Sequence, residues 1–187
     1  MSGADPGRRR FLASGLCVVV GTALLRQVEA DEPPGADART LTFYNTHTRE
    51  ELTAVYFSAG ATDATVLARF DRILRDHRSG EVGRMDPPLF DYLFDVARLA
   101  GVPPRFEVIS GFRSPASNEY LRKTGGGGVA AKSLHLAGKA IDVRLQGVTI
   151  ERLRDLALGM KRGGVGYYPQ SRFVHLDTGR VRRWSGK

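Results

Sequence analysis

Cysteine is almost absent from this 187-residue chain, which contains a single one, Cys17. One cysteine cannot form an intramolecular disulfide, and this one follows Leu16, which is too large for a lipoprotein cleavage site. The chain after Cys17 contains no other cysteine and therefore has no thiolate for catalysis or metal binding. Any metal there must be held by His, Asp or Glu.

Long runs of one charge sign are also missing, although the chain is basic overall. Its net charge of +8 and pI of about 10.1 would attract a polyanion such as nucleic acid, anionic lipid or the acidic cell wall. The 28 basic residues are scattered, with short clusters at positions 8–10 and 182–183, and no nucleic-acid-binding motif is recognisable. We therefore expect no nucleic-acid partner.

The apolar segment at positions 11–25 is too short to span a bilayer comfortably, and three arginines precede it. This pattern is typical of an export signal. Two arginines, one further residue and then Phe11-Leu12 resemble the twin-arginine signal, and residues 28–30 offer a cleavage site before Asp31. We predict a signal peptide at residues 1–30, with an uncleaved anchor as the alternative. The protein should then be periplasmic, with no stable membrane insertion once the signal is removed.

The rest of the chain suits one domain, because 42% of the residues are hydrophobic and 26% are charged, as in ordinary globular proteins. Residues 31–39 are rich in Pro, Gly, Ala and Asp, which predicts a flexible spacer before a domain at residues 40–187. Removal of the signal would leave 24 basic and 18 acidic residues, a net charge of +6. The mature domain would stay basic.

Strand and helix patterns alternate along that domain. β-branched and aromatic runs at 41–44 and 52–57 predict a hairpin, with His47 as a solvated residue in its turn. Apolar periodicity from Val66 predicts a helix with His77 as a structural residue in its last turn. The patterns further predict a helix from Asp86 to Gly101, a strand at 106–110, a helix at 115–123, a flexible glycine loop at 125–128, a strand at 140–145, a helix at 150–161, and neighbouring strands at 165–168 and 172–177. This order favours an α+β fold with a mainly antiparallel sheet flanked by helices.

A histidine seven residues before an aspartate, His135 and Asp142, forms a candidate metal-binding pair. Gly138 allows a sharp turn between them, so the two side chains can converge. His175 would supply a third ligand from another strand. Two nitrogens and one oxygen leave the fourth position of a tetrahedral Zn²⁺ open, as a catalytic site requires. For the first two residues alone, a metal-free buried histidine bonded to a carboxylate is the alternative.

Arg113 lies at the predicted end of a strand, in the sequence Ser-Gly-Phe-Arg-Ser-Pro at positions 110–115. If it points into the same cleft, its guanidinium can hold a carboxylate or a developing oxyanion through paired hydrogen bonds. Tyr167 and Tyr168 are candidates for the lining of this cleft. Adjacent residues of a strand face opposite ways, so at most one of the two should line it.

Four separated motifs resemble the murein endopeptidase K (YcbK-like) family of zinc peptidases. They lie at residues 110–115 with Asn118, at 133–142, at 163–169 and at 173–179, with Arg183-Trp184 behind them. The family belongs with D-alanyl-D-alanine metallopeptidases and lysostaphin in a group that shares the fold of the hedgehog signalling domain. The resemblance implies that His135, Asp142 and His175 are zinc ligands. It also implies that Arg113 faces the substrate and that the substrate is murein.

The chain departs from the pattern of the wider group at the general base. Many relatives carry Glu or His two or three positions before the last zinc ligand, whereas Arg172 and Phe173 occupy those positions here. Asp177 is the predicted substitute, because residues two apart on a strand share a face and its carboxylate should emerge beside His175. The alternative is that Asp177 only orients His175 or caps a turn.

These features predict an exported zinc metallopeptidase that hydrolyses peptide cross-links in peptidoglycan. Two alternatives stay open. One is a D,D-carboxypeptidase that trims terminal D-alanine, and the other is a murein-binding module that has lost catalysis.

Overall fold

The structure, a computed structural model, describes residues 37–124 and 130–186 together with Met1. The predicted signal peptide beyond Met1, most of the predicted spacer and the predicted glycine loop at 125–128 lie outside the described residues. The chain divides into residues 1–32 and residues 33–187, and the fold given below is that of the second unit. Among the described helices, none has the length and apolar character needed to cross a membrane.

Helices and strands of the second unit form an α+β domain. Its strands are β1 (Arg39–Asn45), β2 (Glu51–Ser58), β3 (Ala61–Thr62), β4 (Arg105–Ser110), β5 (Ala140–Leu145), β6 (Gly164–Tyr168), β7 (Phe173–Asp177) and β8 (Arg182–Ser185). Its helices are α1 (Ala64–Ile73), α2 (Pro87–Ala100), α3 (Pro115–Thr124) and α4 (Ile150–Met160), with a 3₁₀ helix at Leu134–Ala137.

The described strands form one sheet in the order β3-β2-β1-β4-β5-β7-β6-β8. β1 pairs with β4 in parallel and β6 with β8 in parallel, whereas the other neighbours are antiparallel. The predicted α+β fold with a mainly antiparallel sheet is confirmed. The sequence patterns do not predict the short strands β3 and β8.

Local signals explain where α1 and α2 begin and end. Asp63 caps α1 by accepting hydrogen bonds from two backbone N–H groups of its first turn. Pro87 starts α2, and Gly101 ends it in the left-handed conformation, with φ of 73°. Asp86 stands at the N-cap of α2, but its carboxylate accepts from the hydroxyl of Thr178 (2.6 Å) instead of from the helix. This bond joins the start of α2 to the end of β7.

α1 ends earlier than the sequence predicts, and this moves His77 out of the helix. The helix ends at Ile73, so the prediction that His77 lies in its last turn is wrong. The physical reason is Asp76, whose buried carboxylate accepts from the N–H of Arg78 (2.9 Å) and from the N–H and hydroxyl of Ser114 (2.8 and 2.7 Å). These bonds compete with helical ones and turn the chain towards the loop after β4.

The two faces of the sheet differ in chemistry. On one face, side chains of the central strands pack into the core with Leu153 and Ala157 of α4 and are at most 2% exposed: Ile141, Val143, Val165, Val174 and Leu176. Alternate residues of the same strands, including Asp142, Gly166 and His175, point to the opposite face. The candidate site lies on that face.

Candidate metal centre

A row of directly paired residues crosses five neighbouring strands on this face. Ser110 of β4 pairs with Asp142 of β5, and Asp142 pairs with His175 of β7. His175 also pairs with Gly166 of β6, which pairs with Trp184 of β8. Side chains of directly paired residues share a face of the sheet. The register therefore brings Asp142 and His175 side by side although they are 33 positions apart in the sequence.

His135 reaches the row from a loop. It lies in the 3₁₀ helix before β5, which ends at Gly138 in the left-handed region, with φ of 65°. A Cβ on Gly138 would lie 2.0 Å from the carbonyl oxygen of Arg84, so both the backbone conformation and the close approach require glycine. This turn leads directly into β5 and brings the imidazole of His135 to Asp142.

The three predicted ligands converge at one point. His175 Nδ1 lies 2.8 Å from Asp142 Oδ1 and 3.2 Å from His135 Nε2. His135 Nε2 lies 3.3 Å from Asp142 Oδ1. All three residues are buried, and their ligand atoms lie within 4.8 Å of one another. Within the described ranges, this is the group of His and acidic side chains arranged to hold a metal ion.

The second nitrogen of each imidazole is held by a hydrogen-bond acceptor. His135 Nδ1 lies 2.7 Å from the carbonyl oxygen of Gly111, and His175 Nε2 lies 3.0 Å from Asp177 Oδ2. A carbonyl or a carboxylate only accepts, so these outer nitrogens can carry the ring protons when the inner nitrogens bind a metal ion. The inner nitrogens face each other and the carboxylate of Asp142. Two nitrogens and one oxygen converging in this way fit Zn²⁺.

The three groups perturb one another electrostatically. Burial lowers the pKa of His135. Burial also disfavours a charged His175, but the carboxylates of Asp142 and Asp177 outweigh it and raise the pKa of His175 to about 9. Burial opposes ionisation of Asp142 as well, yet the two imidazoles hold the pKa of that carboxyl well below its usual range. Asp142 is therefore a carboxylate anion at neutral pH.

Asp177 lies behind His175, at the ring nitrogen that faces away from Asp142. It is fully buried, and its oxygens accept from the guanidinium of Arg182 (2.7 and 3.0 Å) and from the backbone N–H groups of Gly164 (3.0 Å) and Gly179 (2.8 Å). Burial would raise its pKa, but His175, Arg182 and the backbone donors hold the pKa well below its usual range. The structure thus brings Asp177 to His175 and aims its carboxylate at the outer nitrogen.

Strand β8 supports the centre through two side chains that cross β6. Arg182 pairs with Gly164 and reaches the carboxylate behind His175. Trp184 pairs with Gly166, and its ring centroid lies 5.1 Å from that of His175. A Cβ on Gly164 would lie 2.4 Å from Arg182 Nη1, and one on Gly166 would lie 2.6 Å from the indole. Glycines at alternate positions of β6 therefore leave the space that these side chains occupy.

The sequence-based reasoning gives no role to Arg182 or Trp184. A matched spacing could have found them, because Gly164 and Gly166 are two residues apart and so are Arg182 and Trp184. Alternate glycines leave one face of a strand without side chains, and alternate large residues of a neighbouring strand can cover that face. The spacing becomes informative only when β6 and β8 are known to be neighbours.

Arg113 lies after the end of β4, beside Asp142 but not tightly bound to it. Its Nη2 is 3.8 Å from Asp142 Oδ2, and its contacts with Asn118 and Ser110 are long, at 3.4 Å each. Its buried Nε has no hydrogen-bond partner among the described residues. Burial lowers the pKa of Arg113, although an arginine remains a cation in proteins. The guanidinium thus has donors available for an anionic group in the site.

Tyr167 and Tyr168 point to opposite faces of the sheet, as the sequence predicts. The hydroxyl of Tyr167 donates to Glu151 of α4 (2.6 Å). On the other face, the hydroxyl oxygen of Tyr168 accepts from Nε1 of Trp184 (3.0 Å). Tyr168 is therefore the tyrosine on the same face of the sheet as the candidate metal centre.

Known proteins resemble this chain over nearly its whole length. Residues 33–184 match the family model described as Peptidoglycan L,D-endopeptidase MepK. The chain is 39% identical over 180 residues to the Peptidoglycan L,D-endopeptidase MepK of Escherichia coli K12, which covers 96% of this chain and 98% of that protein. It is 36% identical over 191 aligned positions to the Probable peptidoglycan L,D-endopeptidase MepK of Haemophilus influenzae, which covers 100% of both chains. No solved structure matches the chain significantly.

Proposed function

Because the chain belongs to the peptidoglycan L,D-endopeptidase MepK family, we propose that it is a zinc-dependent endopeptidase that hydrolyses L,D peptide bonds in peptidoglycan cross-links. The names of the relatives support peptidoglycan as the substrate and an L,D peptide bond as the bond that is cleaved. The convergence of His135 Nε2, Asp142 Oδ1 and His175 Nδ1, with both outer nitrogens held by acceptors, supports the metal.

Each residue of the centre has a proposed role. His135, Asp142 and His175 hold the ion, which supplies an activated water and polarises the scissile carbonyl when bound. Gly111 fixes the tautomer of His135 through its carbonyl oxygen. Arg113 binds a carboxylate of the stem peptide or the charge that develops on the carbonyl oxygen, which its incompletely bonded guanidinium supports.

For Asp177 we propose the orienting role, which is the alternative to that of general base. Its carboxylate contacts the outer nitrogen of His175 and is itself held by Arg182 and two backbone N–H groups. A carboxylate in this position fixes the tautomer and orientation of a metal-binding imidazole and increases its basicity.

A murein-binding module without catalysis is the second candidate. It is favoured by the direction of Asp177, whose carboxylate lies at the nitrogen that faces away from Asp142. Within the described residues, no further carboxylate joins His135, Asp142 and His175 in the metal-type cluster. The names of the relatives favour an endopeptidase over the D,D-carboxypeptidase alternative.

One experiment separates these functions. The zinc content of the purified protein is measured by elemental analysis, and cross-linked sacculi are digested with the wild type and with His175→Ala. Near-stoichiometric zinc and release of cross-linked dimers as monomers, both lost in His175→Ala, would support the endopeptidase. Release of single D-alanine with intact bridges would indicate a carboxypeptidase. A metal-free protein that binds sacculi without cutting them would support the murein-binding module and exclude both peptidase functions.

Export is part of the proposal, because peptidoglycan lies outside the cytoplasmic membrane. We propose a signal peptide at residues 1–30 and a spacer at 31–39, with transport by the twin-arginine route through Arg8 and Arg9. Cell fractionation after replacing both arginines by lysine tests this route. The variant should remain in the cytoplasm, and normal export of the variant would exclude the route.

A further inference from the structure

Tyr168 lies one step along β6 from the row that forms the metal centre. It is two residues from Gly166, the partner of His175, and so points to the same face of the sheet. Its ring stacks on that of Phe173, with centroids 4.5 Å apart and planes 18° apart. The backbone of Gly186 also approaches the ring, because a Cβ there would lie 2.2 Å from it. These contacts fix the ring, and Tyr168 still remains only half-buried.

The hydroxyl of Tyr168 has a hydrogen atom available for a ligand. Its oxygen accepts from Nε1 of Trp184 at 3.0 Å, and an indole N–H can only donate. The phenolic O–H must therefore point elsewhere, and no acceptor for it is found among the described residues. A hydroxyl that accepts one hydrogen bond also becomes a stronger donor in the next.

One contact relates this hydroxyl to the metal centre. Its partner Trp184 lies against His175, with ring centroids 5.1 Å apart. Tyr168 of β6 and Arg113 at the end of β4 approach the centre from opposite sides of β5 and β7.

We propose that Tyr168 is a further catalytic residue, whose hydroxyl donates a hydrogen bond to the carbonyl oxygen of the scissile peptide bond. Trp184 is the positioning residue that holds this hydroxyl. The inference rests on the proposed endopeptidase function and adds a neutral donor to the cationic one supplied by Arg113. Because the donor is neutral and fixed before substrate arrives, it needs little reorganisation when charge develops.

The bond changes of amide hydrolysis explain why a donor is needed there. Addition of water to the carbonyl carbon forms a new C–O bond, turns the C=O bond into a C–O⁻ bond and releases one proton to the surrounding water. Collapse re-forms C=O and breaks the C–N bond, and the leaving amine takes up a proton from the surrounding water. Tyr168 transfers no proton in this scheme, since its hydrogen bond shortens as negative charge develops and lengthens as the charge disappears.

Steady-state kinetics of Tyr168→Phe on a soluble cross-linked muropeptide dimer test the proposal. The variant keeps the ring and its stacking and loses only the hydroxyl. We expect kcat to fall about 10- to 100-fold with KM little changed, less than the roughly 100- to 1,000-fold typical of a lone oxyanion donor, because Arg113 shares the charge. Tyr167→Phe is the matched control, since it removes a hydroxyl from the adjacent residue on the opposite face, and its kcat should be unchanged.

The single tryptophan of the chain provides a readout that does not depend on turnover. Trp184 gives one indole N–H resonance, which should move upfield in Tyr168→Phe because its acceptor is lost. Addition of the muropeptide dimer to metal-free wild type should shift the same resonance, since the substrate carbonyl draws on the hydroxyl to which the indole is bonded. The shift on addition should be largely lost in Tyr168→Phe.

The outcomes separate this inference from the proposed function. A wild type that binds zinc but releases no product would overturn the proposed function and this inference together. An active wild type with unchanged kcat in Tyr168→Phe overturns the inference alone. A raised KM with unchanged kcat also overturns it, because Tyr168 would then contribute to binding of the ground state. An indole resonance that is the same in wild type and Tyr168→Phe overturns the positioning role of Trp184.

Discussion

The four histidines of the chain form two pairs that differ in geometry and partners. The rings of His135 and His175 meet edge to face, with centroids 5.0 Å apart and planes at 68°, and an acceptor holds each outer nitrogen. The rings of His47 and His77 stack face to face, with centroids 3.7 Å apart and planes at 7°. No acidic side chain joins the second pair in a metal-type cluster within the described residues.

The difference shows that His135 and His175, and not His47 and His77, have the geometry and partners that a metal site requires. The lone pairs of an imidazole lie in the plane of its ring, so stacked parallel rings cannot aim theirs at one ion. Rings set at an angle can do so, provided that an acceptor on each outer nitrogen leaves the inner one unprotonated. Asp142 adds a negative charge at the point of convergence. The two pairs therefore provide internal controls for each other.

The largest expected effect comes from breaking the converging pair, His135 and His175. His175→Ala removes one of the three proposed zinc ligands, and loss of the ion would remove several kcal/mol of transition-state stabilisation, on the order of a 1,000-fold loss of dimer cleavage. The corresponding variant in the stacked pair of His47 and His77, His47→Ala, should retain both zinc and cleavage activity. Elemental analysis and cleavage of a muropeptide dimer measure both variants. Equal losses in the two variants would contradict the division into one functional and one non-functional pair.

The next effect concerns Asp177, the acceptor at the outer nitrogen of His175. Asp177→Asn weakens the hold on the outer nitrogen of His175, and an orienting carboxylate of this kind is worth about 10- to 100-fold in metal affinity. Competition with a chelator measures that affinity. Excess zinc should then restore most of the cleavage activity.

The same variant distinguishes the two roles of Asp177. A general base would leave zinc affinity near that of the wild type and abolish cleavage even at saturating zinc. Asp155→Asn, on the exposed surface of α4, is a matched control that should change neither quantity.

The converging pair was more accessible to sequence reasoning than its surroundings. His135, Gly138 and Asp142 lie within one short stretch, and the glycine and the β-branched residues around Asp142 indicate a turn that leads into a strand. The pairing of Asp142 with His175 depends on the order of strands in the sheet, which local pattern did not predict. The motif resemblance implied only that both residues are zinc ligands.

The features of the structure that could not be predicted from the sequence depend on contacts between distant segments. His47 and His77 are 30 positions apart, and their stacking follows from where α1 ends and the chain turns at Asp76. The direction of Asp177 depends on Arg182, which reaches it only because β8 pairs with β6. A face shared by two residues of a strand is predictable from periodicity, but the atoms that a side chain contacts on that face are not.

A smaller effect should follow from filling the space beside His175. In Gly166→Ala the new Cβ would lie 2.6 Å from the ring of Trp184, which must move, and such overpacking costs about 1–3 kcal/mol of unfolding free energy. Urea denaturation measures the loss, and the fluorescence of the single tryptophan reports the displacement. Gly159→Ala in α4 is the control, since nothing lies within 4 Å of its Cβ, and it should stabilise by about 0.5–1 kcal/mol. Destabilisation of both variants alike would show that the site around His175 is not specially packed.

The smallest effect belongs to the stacked pair and concerns pH. Burial lowers the pKa of His77 from 6.5 to about 4, with His47, Arg78 and Arg113 acting in the same direction and Asp76 against them. Above 6.5 the ring is neutral in folded and unfolded chains and contributes nothing. Between 6.5 and about 4 the unfolded chain binds a proton that the folded chain does not, so stability is lost as pH falls and the loss is complete below about 4.

His77→Gln should remove this part of the pH dependence. Because the ring is only half-buried, we expect a difference on the order of 1 kcal/mol, well below the full linkage value. Unfolding free energies of the metal-free proteins at about pH 7.5 and about pH 4.5 measure it, and titratable groups that do not interact with His77 cancel in the comparison between wild type and variant. The wild type should lose more stability than His77→Gln on acidification. Equal losses would mean that the stacked imidazole titrates like a solvated one, and the second pair would then be a surface contact without energetic consequence.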